Sequence, residues 1–250
     1  MNELYNMIYK RKSIRKFDSN LSVSEGELNA IKNQLENLIH LISDIKTKFI
    51  VVKKSETSAK FGEYALLVYS EKKDNYLINA GYMIEQMDLF MASMNIGACW
   101  YGMAKPRTDL SEGLDFVIML VFGKSNENDF RQNFSTCKRK AESEVFKGEF
   151  DKKVLDLVRY APSACNSQPW ITSFENNLIK VYRDSKAKSI IPFVTLARYN
   201  SIDMGIFLCF LEIILVENGY QFERNMGYDN SKNKEGLIEI ANYIIEGQDN

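Results

Sequence analysis

Residues 78–102 read INAGYMIEQMDLFMASMNIGACWYG, a long and largely apolar stretch that ends in two glycines separated by aromatic residues. Its apolar side chains predict a core helix from Tyr76 to Ile96. Asn95 and Gly97 are typical of a helix C-terminus, because both residue types tolerate the left-handed backbone conformation found there. The segment therefore predicts a buried helix followed at once by a tight turn.

A second stretch resembles the first. IDMG at residues 202–205 opens another long apolar helix, as INAG does at 78–81, and 202 minus 78 gives an offset of 124. The offset also pairs Asn95 with Gly219, and both residues fit a helix C-terminus. The repeat predicts two similar halves, residues 1–148 and 149–250, fused as a pseudo-dimer.

Apolar periodicity predicts further elements on both sides of these helices. Ser22 or Ser24 is a suitable N-cap for the first helix below, and residues 126–147 are polar and irregular. The predicted helices are Glu25–Leu41, Lys152–Tyr160 and Ser201–Asn218, and the predicted strands are Lys48–Lys53, Ala65–Ser70, Phe116–Phe122 and Leu178–Tyr182.

Composition excludes several classes of function. A formal net charge of -1 and a pI of about 6.0 provide no basic field for nucleic acid or an anionic membrane. His40 is the only histidine and the four cysteines are scattered, so no metal site is predicted. The apolar run Gly205–Val216 contains Glu212 and is too short to span a bilayer. Without a signal peptide, the chain is expected to be cytoplasmic.

Two basic clusters could bind an anion. In an extended chain, Arg11, Ser13 and Arg15 of RKSIRKF share one side and present two guanidinium groups beside a hydroxyl, which suits a phosphate dianion. A solvated basic segment is the alternative. The triplet 138–140 (KRK) is a surface patch or a second arm for the same phosphate.

The turn 100–103 (WYGM) could admit a flat ligand, because glycine lets backbone N–H groups approach it closely. An ordinary tight turn is the alternative.

The loop 161–170 (APSACNSQPW) concentrates hydroxyl and amide groups after a helix that ends before Pro162. Amides both donate and accept, which suits a ligand with mixed edges such as a flavin ring. A helix exit rich in turn formers is the alternative here. The first half lacks this loop and the second lacks RKSIRKF, which predicts one composite site.

The chain resembles the nitroreductase family of FMN-dependent oxidoreductases, and in particular its subfamily with two fused halves. The motifs that carry the resemblance are RKSIRKF, the 78–102 segment, CKRKAESEVF and APSACNSQPW. The resemblance implies an α+β fold in which helices pack on a mostly antiparallel sheet, with FMN at the interface of two subunits. It assigns phosphate and ribityl contacts to the basic clusters, contacts near flavin N5 to the turn, and contacts with the ring and substrate face to the loop. The implied FMN-binding residues are Arg11, Lys12, Ser13, Arg15, Gly102, Met103, Lys138, Arg139, Lys140, Pro162, Ser163, Ala164, Asn166 and Gln168.

The implied reaction is ping-pong reduction of a nitroaromatic or quinone-type small molecule, with NAD(P)H as electron donor. The cofactor carries the redox chemistry, so no catalytic side chain is predicted. The alternative is an FMN-binding redox sensor or scaffold without reductase turnover. Because the usual partner would already be fused, a monomer is possible.

Overall fold

The structure is a computed structural model that describes residues 2–227 and 231–248. It divides into two compact units, one of residues 6–136 and one of residues 1–5 together with 137–250. The N-terminal helix α1 (Asn2–Lys10) is cut by this division. The predicted boundary between residues 148 and 149 stays a prediction.

The 6–136 unit is an antiparallel sheet with a buried helix. Its helices are α2 (Glu25–Leu35) and α3 (Tyr76–Ser93), and its strands are β1 (Thr47–Lys53), β2 (Tyr64–Ser70), β3 (Ile96–Tyr101) and β4 (Asp115–Lys124). The sheet order is β1-β2-β4-β3, so β2 and β4 lie in the middle and α3 packs against both. That position explains why their sequences are continuously apolar, because central strands covered by a helix are buried along most of their length.

The 137–250 unit begins with the short elements α4 (Glu142–Val145) and β5 (Phe146–Lys147). The helices α5 (Lys152–Val158) and α6 (Phe193–Glu217) follow, with the strands β6 (Trp170–Glu175), β7 (Leu178–Asp184), β8 (Tyr220–Met226) and β9 (Leu237–Gln248). The sheet order is β5-β6-β7-β9-β8, and only the β5–β6 pair is parallel. The predicted combination of helices with mostly antiparallel sheets is confirmed.

Leaving α1, α4 and β5 aside, the two units have the same succession of helices and strands. Each runs helix, strand, strand, long buried helix, strand, strand, and in each the strands are ordered first, second, fourth, third. The sequence predicted the helix, a following strand and the core helix of each half but not this shared sheet order.

Several predicted boundaries were wrong. The helix predicted to reach Leu41 ends at Leu35, because the Gln86 side chain of α3 bonds both the N–H and the C=O of Ile39 outside a helix. The single histidine, His40, is therefore exposed on a loop and not on a helix. Ser24 is the N-cap and forms a capping box with Glu27. Helix α3 ends at Ser93 and not at Ile96, and residues 97–101, predicted as the end of the helix and the start of a tight turn, form the edge strand β3 together with Ile96.

Helix α6 begins at Phe193 and not near Ser201, so it is longer than predicted. Residues 194–217 are long and apolar enough to cross a membrane, with a mean hydropathy of 1.7. However, 83% of that window is buried inside the protein, and α6 packs against α5, β7 and β8. Its composition is therefore that of a core helix.

Candidate functional site

The basic segment 11–17 is fixed against the edge strand β3. The amide of Ile14 donates to the carbonyl of Ala98 at 2.9 Å, and Ser13 forms an isolated parallel bridge with the same residue. A Cβ at Gly97 would lie 2.4 Å from Ser125 Oγ and 2.8 Å from Ile14 Cδ1. Gly97, predicted as the end of the core helix, thus leaves room for the basic segment itself.

Arg11 points into the 6–136 unit and is only 3% exposed. Its Nε and Nη2 lie 2.8 and 2.7 Å from Asp88 Oδ2, and the same oxygen accepts a bond from Trp100 Nε1 at 3.1 Å. Burial opposes the charge, but the nearby Asp88 and Glu85 outweigh it and raise the pKa of Arg11. The guanidinium is therefore committed to a carboxylate within its own unit.

Glu85 is the third member of this buried cluster. It is completely buried, its Oε1 lies 3.8 Å from Arg11 Nε, and neither oxygen accepts a hydrogen bond from a described residue. Burial, followed by the charge of Asp88, raises the pKa of Glu85 well above its ordinary value. Burial thus opposes the charged form of Glu85 beside the Arg11–Asp88 ion pair.

The other cations of the segment face solvent. Lys12 is exposed and donates to the carbonyl of Asp129 at 3.1 Å. Arg15 and Lys16 are exposed, and their side chains form no hydrogen bond or ion pair with any residue in 2–227 or 231–248. Arg11 and Arg15, predicted to share a face, thus lie in opposite environments, while Arg11 Nη2 reaches Ser13 Oγ at 3.3 Å.

The turn after β3 is open to solvent. Gly102 is exposed and the Met103 side chain is 86% exposed. A large thioether so fully in water is unusual for a residue type that normally fills cores. The predicted role of the two backbone amides stays a prediction.

The loop of the 137–250 unit has an unusual backbone. Cys165, Asn166 and Gln168 have φ angles of 49°, 58° and 46°, a left-handed region that residues with a Cβ seldom enter. Such strain persists only where surrounding contacts over-determine the conformation. Trp170, at the end of the loop, is fully buried and stacks on Phe207 of α6 with ring centroids 5.0 Å apart.

Arg139 and Lys140 provide many of those contacts. Arg139 donates to the carbonyls of Arg159 (3.0 Å) and Tyr160 (3.1 Å) and to Asn166 Oδ1 (3.0 Å). The Lys140 amide bonds Gln168 Oε1 and its Nζ bonds the Gln168 carbonyl, both at 2.9 Å. The Lys138 carbonyl also accepts a bond from Asn166 Nδ2 at 3.0 Å, so the KRK triplet is brought to the predicted loop and all three of its members bond loop atoms.

The remaining predicted residues of the loop differ in exposure. Pro162 and Gln168 are buried, Ser163 and Ala164 are half-buried, and Asn166 is exposed. Ser163 Oγ accepts the Gln168 amide at 3.0 Å. The exposed amide of Asn166 and its neighbours are therefore the part of the loop that a ligand could reach.

Sequence reasoning missed the acidic residues beneath these segments, although each interrupts an apolar helix, and that interruption is the signal that could have revealed them. Glu85 and Asp88 lie within α3, and Asp203 lies within α6, where it accepts a hydrogen bond from the Ala164 amide at 2.9 Å.

A separate groove of about 550 Å³ contains none of the predicted residues. It is lined by Tyr182, Met226, Gly227, Ser231, Lys232, Asn233, Leu237 and Glu239.

Comparison with known proteins identifies the family. The sequence profile described as Putative TM nitroreductase matches residues 3–214, which include both basic clusters, the turn and the loop. The chain belongs to this nitroreductase family. No curated protein matches it.

A solved structure supports the fold. A putative nitroreductase from Thermotoga maritima superimposes with a TM-score of 0.62 at 18% identity, covering 98% of this chain and 94% of its own. Nitroreductase family proteins from Clostridium novyi NT (TM-score 0.40, 18% identity, 50% of this chain and 86% of its own) and Clostridium difficile 630 (0.45, 13%, 59% and 98%) also match. At these identities the likeness concerns the fold alone.

Proposed function

We propose that this nitroreductase-family chain is an FMN-dependent oxidoreductase that uses NAD(P)H to reduce nitroaromatic or quinone-type acceptors. The observation that carries the proposal is the family match, whose range of residues 3–214 includes the predicted basic segment, turn and loop. Family membership indicates oxidoreductase chemistry; the cofactor, the donor and the acceptor class are the proposed part.

The residues of the 6–136 unit fit the phosphate of FMN. A phosphate monoester carries about −1.5 to −2 charges at neutral pH. Arg15 and Lys16 are exposed and unpaired among the described residues, and Lys12 lies beside them with only a carbonyl partner. Arg15 would form the charge-assisted contact, Ser13 would add a hydroxyl, and Arg11 would act from behind by holding the segment in place.

The loop fits a ligand that needs a rigid polar wall. Its left-handed residues are fixed by side-chain and backbone bonds, so little conformational entropy remains to be lost on binding. In the proposal, Ser163, Ala164 and Asn166 offer polar and small groups, Pro162 and Gln168 support them, and Arg139 and Lys140 brace the wall. The exposed Lys138 retains its predicted role as a cation for phosphate.

Bound FMN would supply the two-electron chemistry, and the chain would supply position and electrostatics. The amides of Gly102 and Met103 would orient and polarise the ring edge from their exposed turn. Donor and acceptor would use one open face in turn, which is the basis of the proposed ping-pong order. The single histidine, His40, is exposed on a loop that contains none of the predicted site residues, so no side-chain base is invoked.

The shared strand order of the two units supports the further proposal that the chain is an internally duplicated pseudo-dimer. A family that ordinarily needs two subunits would then need one chain, so we propose a monomer in the cytoplasm. Light scattering during gel filtration tests this, because a molar mass near twice 28.9 kDa would contradict it.

Spectroscopy tests the proposed activity. The purified protein is equilibrated with FMN, dialysed, and its flavin absorbance recorded before and after NADPH or NADH is added under nitrogen, followed by a quinone. Bleaching by a donor and recovery with the quinone are expected. Bound flavin that stays oxidised would support the sensor or scaffold instead, and absence of bound flavin would contradict both.

A further inference from the structure

Asp203 lies beneath the loop and is fully connected to it. The residue is 3% exposed on α6. Its Oδ1 accepts the Ala164 amide at 2.9 Å, and its Oδ2 lies 3.3 Å from Ser167 Oγ. Ser167 Oγ in turn lies 3.1 Å from Oδ1 of the buried Asn200. These bonds begin at both ends of the segment that contains the left-handed Cys165 and Asn166.

Counting protons shows what this chain of bonds requires. A serine hydroxyl carries one proton, and Ser167 Oγ faces two oxygens, one of Asn200 and one of Asp203. If Asp203 were ionised, Ser167 could donate to only one of the two, and the other would be left without a donor from this hydroxyl. A proton on Asp203 Oδ2 completes the chain, because Asp203 then donates to Ser167 and Ser167 donates to Asn200.

The other unit makes the corresponding bond with a neutral side chain. Asn79, which the repeat pairs with Asp203, accepts the Ile42 amide through Oδ1 at 3.0 Å. The offset between Ile42 and Ala164 is 122, two residues from that between the two acceptors. The same helix position therefore holds the preceding loop in both units, and in one of them it does so without a charge.

Among residues 2–227 and 231–248, no charge is found to compensate an ionised Asp203. Burial raises its pKa to about 8, opposed by the Ala164 amide and the Ser167 hydroxyl. Helix α6 packs against α5, β7, β8 and the loop turn. The charged residues of the two strands do not contribute to the pKa of Asp203; they are Lys180, Arg183, Asp184, Glu223 and Arg224. The charged residues of α5, which are Lys152, Lys153 and Asp156, do not contribute to the pKa of Asp203, and Arg139 is committed to loop carbonyls.

We propose that Asp203 is a positioning residue that holds the 163–168 turn as a protonated acid and releases it when ionised. An unpaired carboxylate in this apolar environment is strongly unfavourable. Displacement of the turn would admit water and relieve that cost, so the loop becomes mobile as the pH rises past neutrality. The consequence for FMN rests on the function proposed above, whereas the protonation state does not.

NMR of the protein without FMN tests the protonation directly. With ¹³C-labelled aspartate, one side-chain carboxyl signal should titrate near pH 8 and disappear in Asp203→Asn. If every aspartate titrates below about pH 5, the normal range for this residue, Asp203 is ionised, Asn200 donates to Ser167 with its amide reversed, and the proposal is wrong.

Cys165 reports on the loop. It is exposed, whereas Cys99 and Cys209 are buried, so Cys137→Ser leaves one reactive thiol. The alkylation rate is compared between this protein and its Asp203→Asn derivative across pH, and their ratio cancels thiolate ionisation. A ratio near one at acid pH should rise about two- to tenfold above pH 8, the effect of losing one net hydrogen bond. A ratio independent of pH would overturn the release step.

FMN affinity separates this proposal from the proposed function. If FMN binds, its Kd should rise several-fold from about pH 7 to pH 9 in the unaltered chain and stay flat in Asp203→Asn. Asp203→Ala, which removes both acceptor oxygens, should label rapidly at Cys165 at every pH. If FMN does not bind but the carboxyl titration and labelling behave as expected, the proposed function fails and the positioning role stands.

Discussion

Replacing Arg11 with alanine should destabilise the 6–136 unit far more than its place in an exposed-looking basic motif suggests. The substitution removes two short bonds to Asp88, at 2.7 and 2.8 Å, from a pair that is 3% and 2% exposed. Trp100 alone would then donate to that carboxylate. Breaking a buried ion pair on one side leaves an uncompensated charge.

The magnitude follows from the geometry. Charge-assisted bonds contribute about 1.5–3 kcal/mol each, so two of them give roughly 3–6 kcal/mol. Measured losses for one-sided removal of a buried ion pair are about 3–5 kcal/mol. We expect the free energy of unfolding to fall by about 3–5 kcal/mol at neutral pH.

The two tryptophans make the assay specific, since Trp100 lies in the 6–136 unit and Trp170 in the other. Urea unfolding is followed by Trp100 fluorescence in a Trp170→Phe background, with and without the Arg11 substitution. Arg15→Ala is the matched control, because it removes the same side chain from an exposed site and should change the unfolding free energy by about 0.5 kcal/mol or less. Equal effects of the two substitutions would refute the assignment of Arg11 to the buried cluster.

Three further predictions concern other residues. Arg15→Ala should raise the Kd for FMN at least tenfold in equilibrium dialysis, since a charge-assisted bond contributes about 1.5–3 kcal/mol. The control is Lys32→Ala, which removes an exposed positive charge from α2. An equal change of Kd in both variants would contradict the phosphate role of Arg15. Asp203→Asn should flatten the pH dependence of stability, because the raised pKa of Asp203 means that the folded chain holds a proton that the unfolded chain releases. Between the unfolded pKa of 3.8 and about 8, the stability of the unaltered protein therefore falls with rising pH by about 1.4 kcal/mol per pH unit. The same pH dependence of the urea unfolding free energy in both proteins would refute this. Gly97→Ala should lower the thermal midpoint in calorimetry, because its Cβ would lie 2.4 Å from Ser125 Oγ; an unchanged midpoint would show that the segment can move aside.

The sequence predicted the elements whose patterns depend on burial alone. Helix α3 and the strands β2 and β4 are buried almost throughout, so their apolar runs identified them directly. Strand β3 was missed because its two glycine-flanked ends look like a turn, whereas Gly97 is required by the close approach of Ile14. That reason depends on a neighbour more than eighty positions away in the chain, which periodicity cannot detect.

The basic segment shows a different limit of sequence reasoning. Alternation placed Arg11 and Arg15 on one face, but alternation describes a regular strand, and here the segment forms an isolated bridge with Ala98 and no strand. The orientation of Arg11 depends on Asp88, whose place within an apolar helix gave it no visible partner in the sequence. The left-handed conformations of Cys165 and Asn166 could not be predicted either, since glycine is the residue that normally indicates such a conformation.

The removal of Arg11 from the solvent-facing cations does not weaken the case for a phosphate site. Lys12, Arg15 and Lys16 still present three positive charges on one exposed segment of the 6–136 unit, against the charge of about −1.5 to −2 on a phosphate monoester. Burying Arg11 with Asp88 fixes the segment to α3, so the exposed cations start from an ordered backbone and lose less entropy on binding. We expect a rigid segment with excess positive charge to bind free sulfate or pyrophosphate as well. Competition of those anions with FMN, lost in Arg15→Ala but retained in Lys32→Ala, would therefore distinguish phosphate recognition from recognition of the ring.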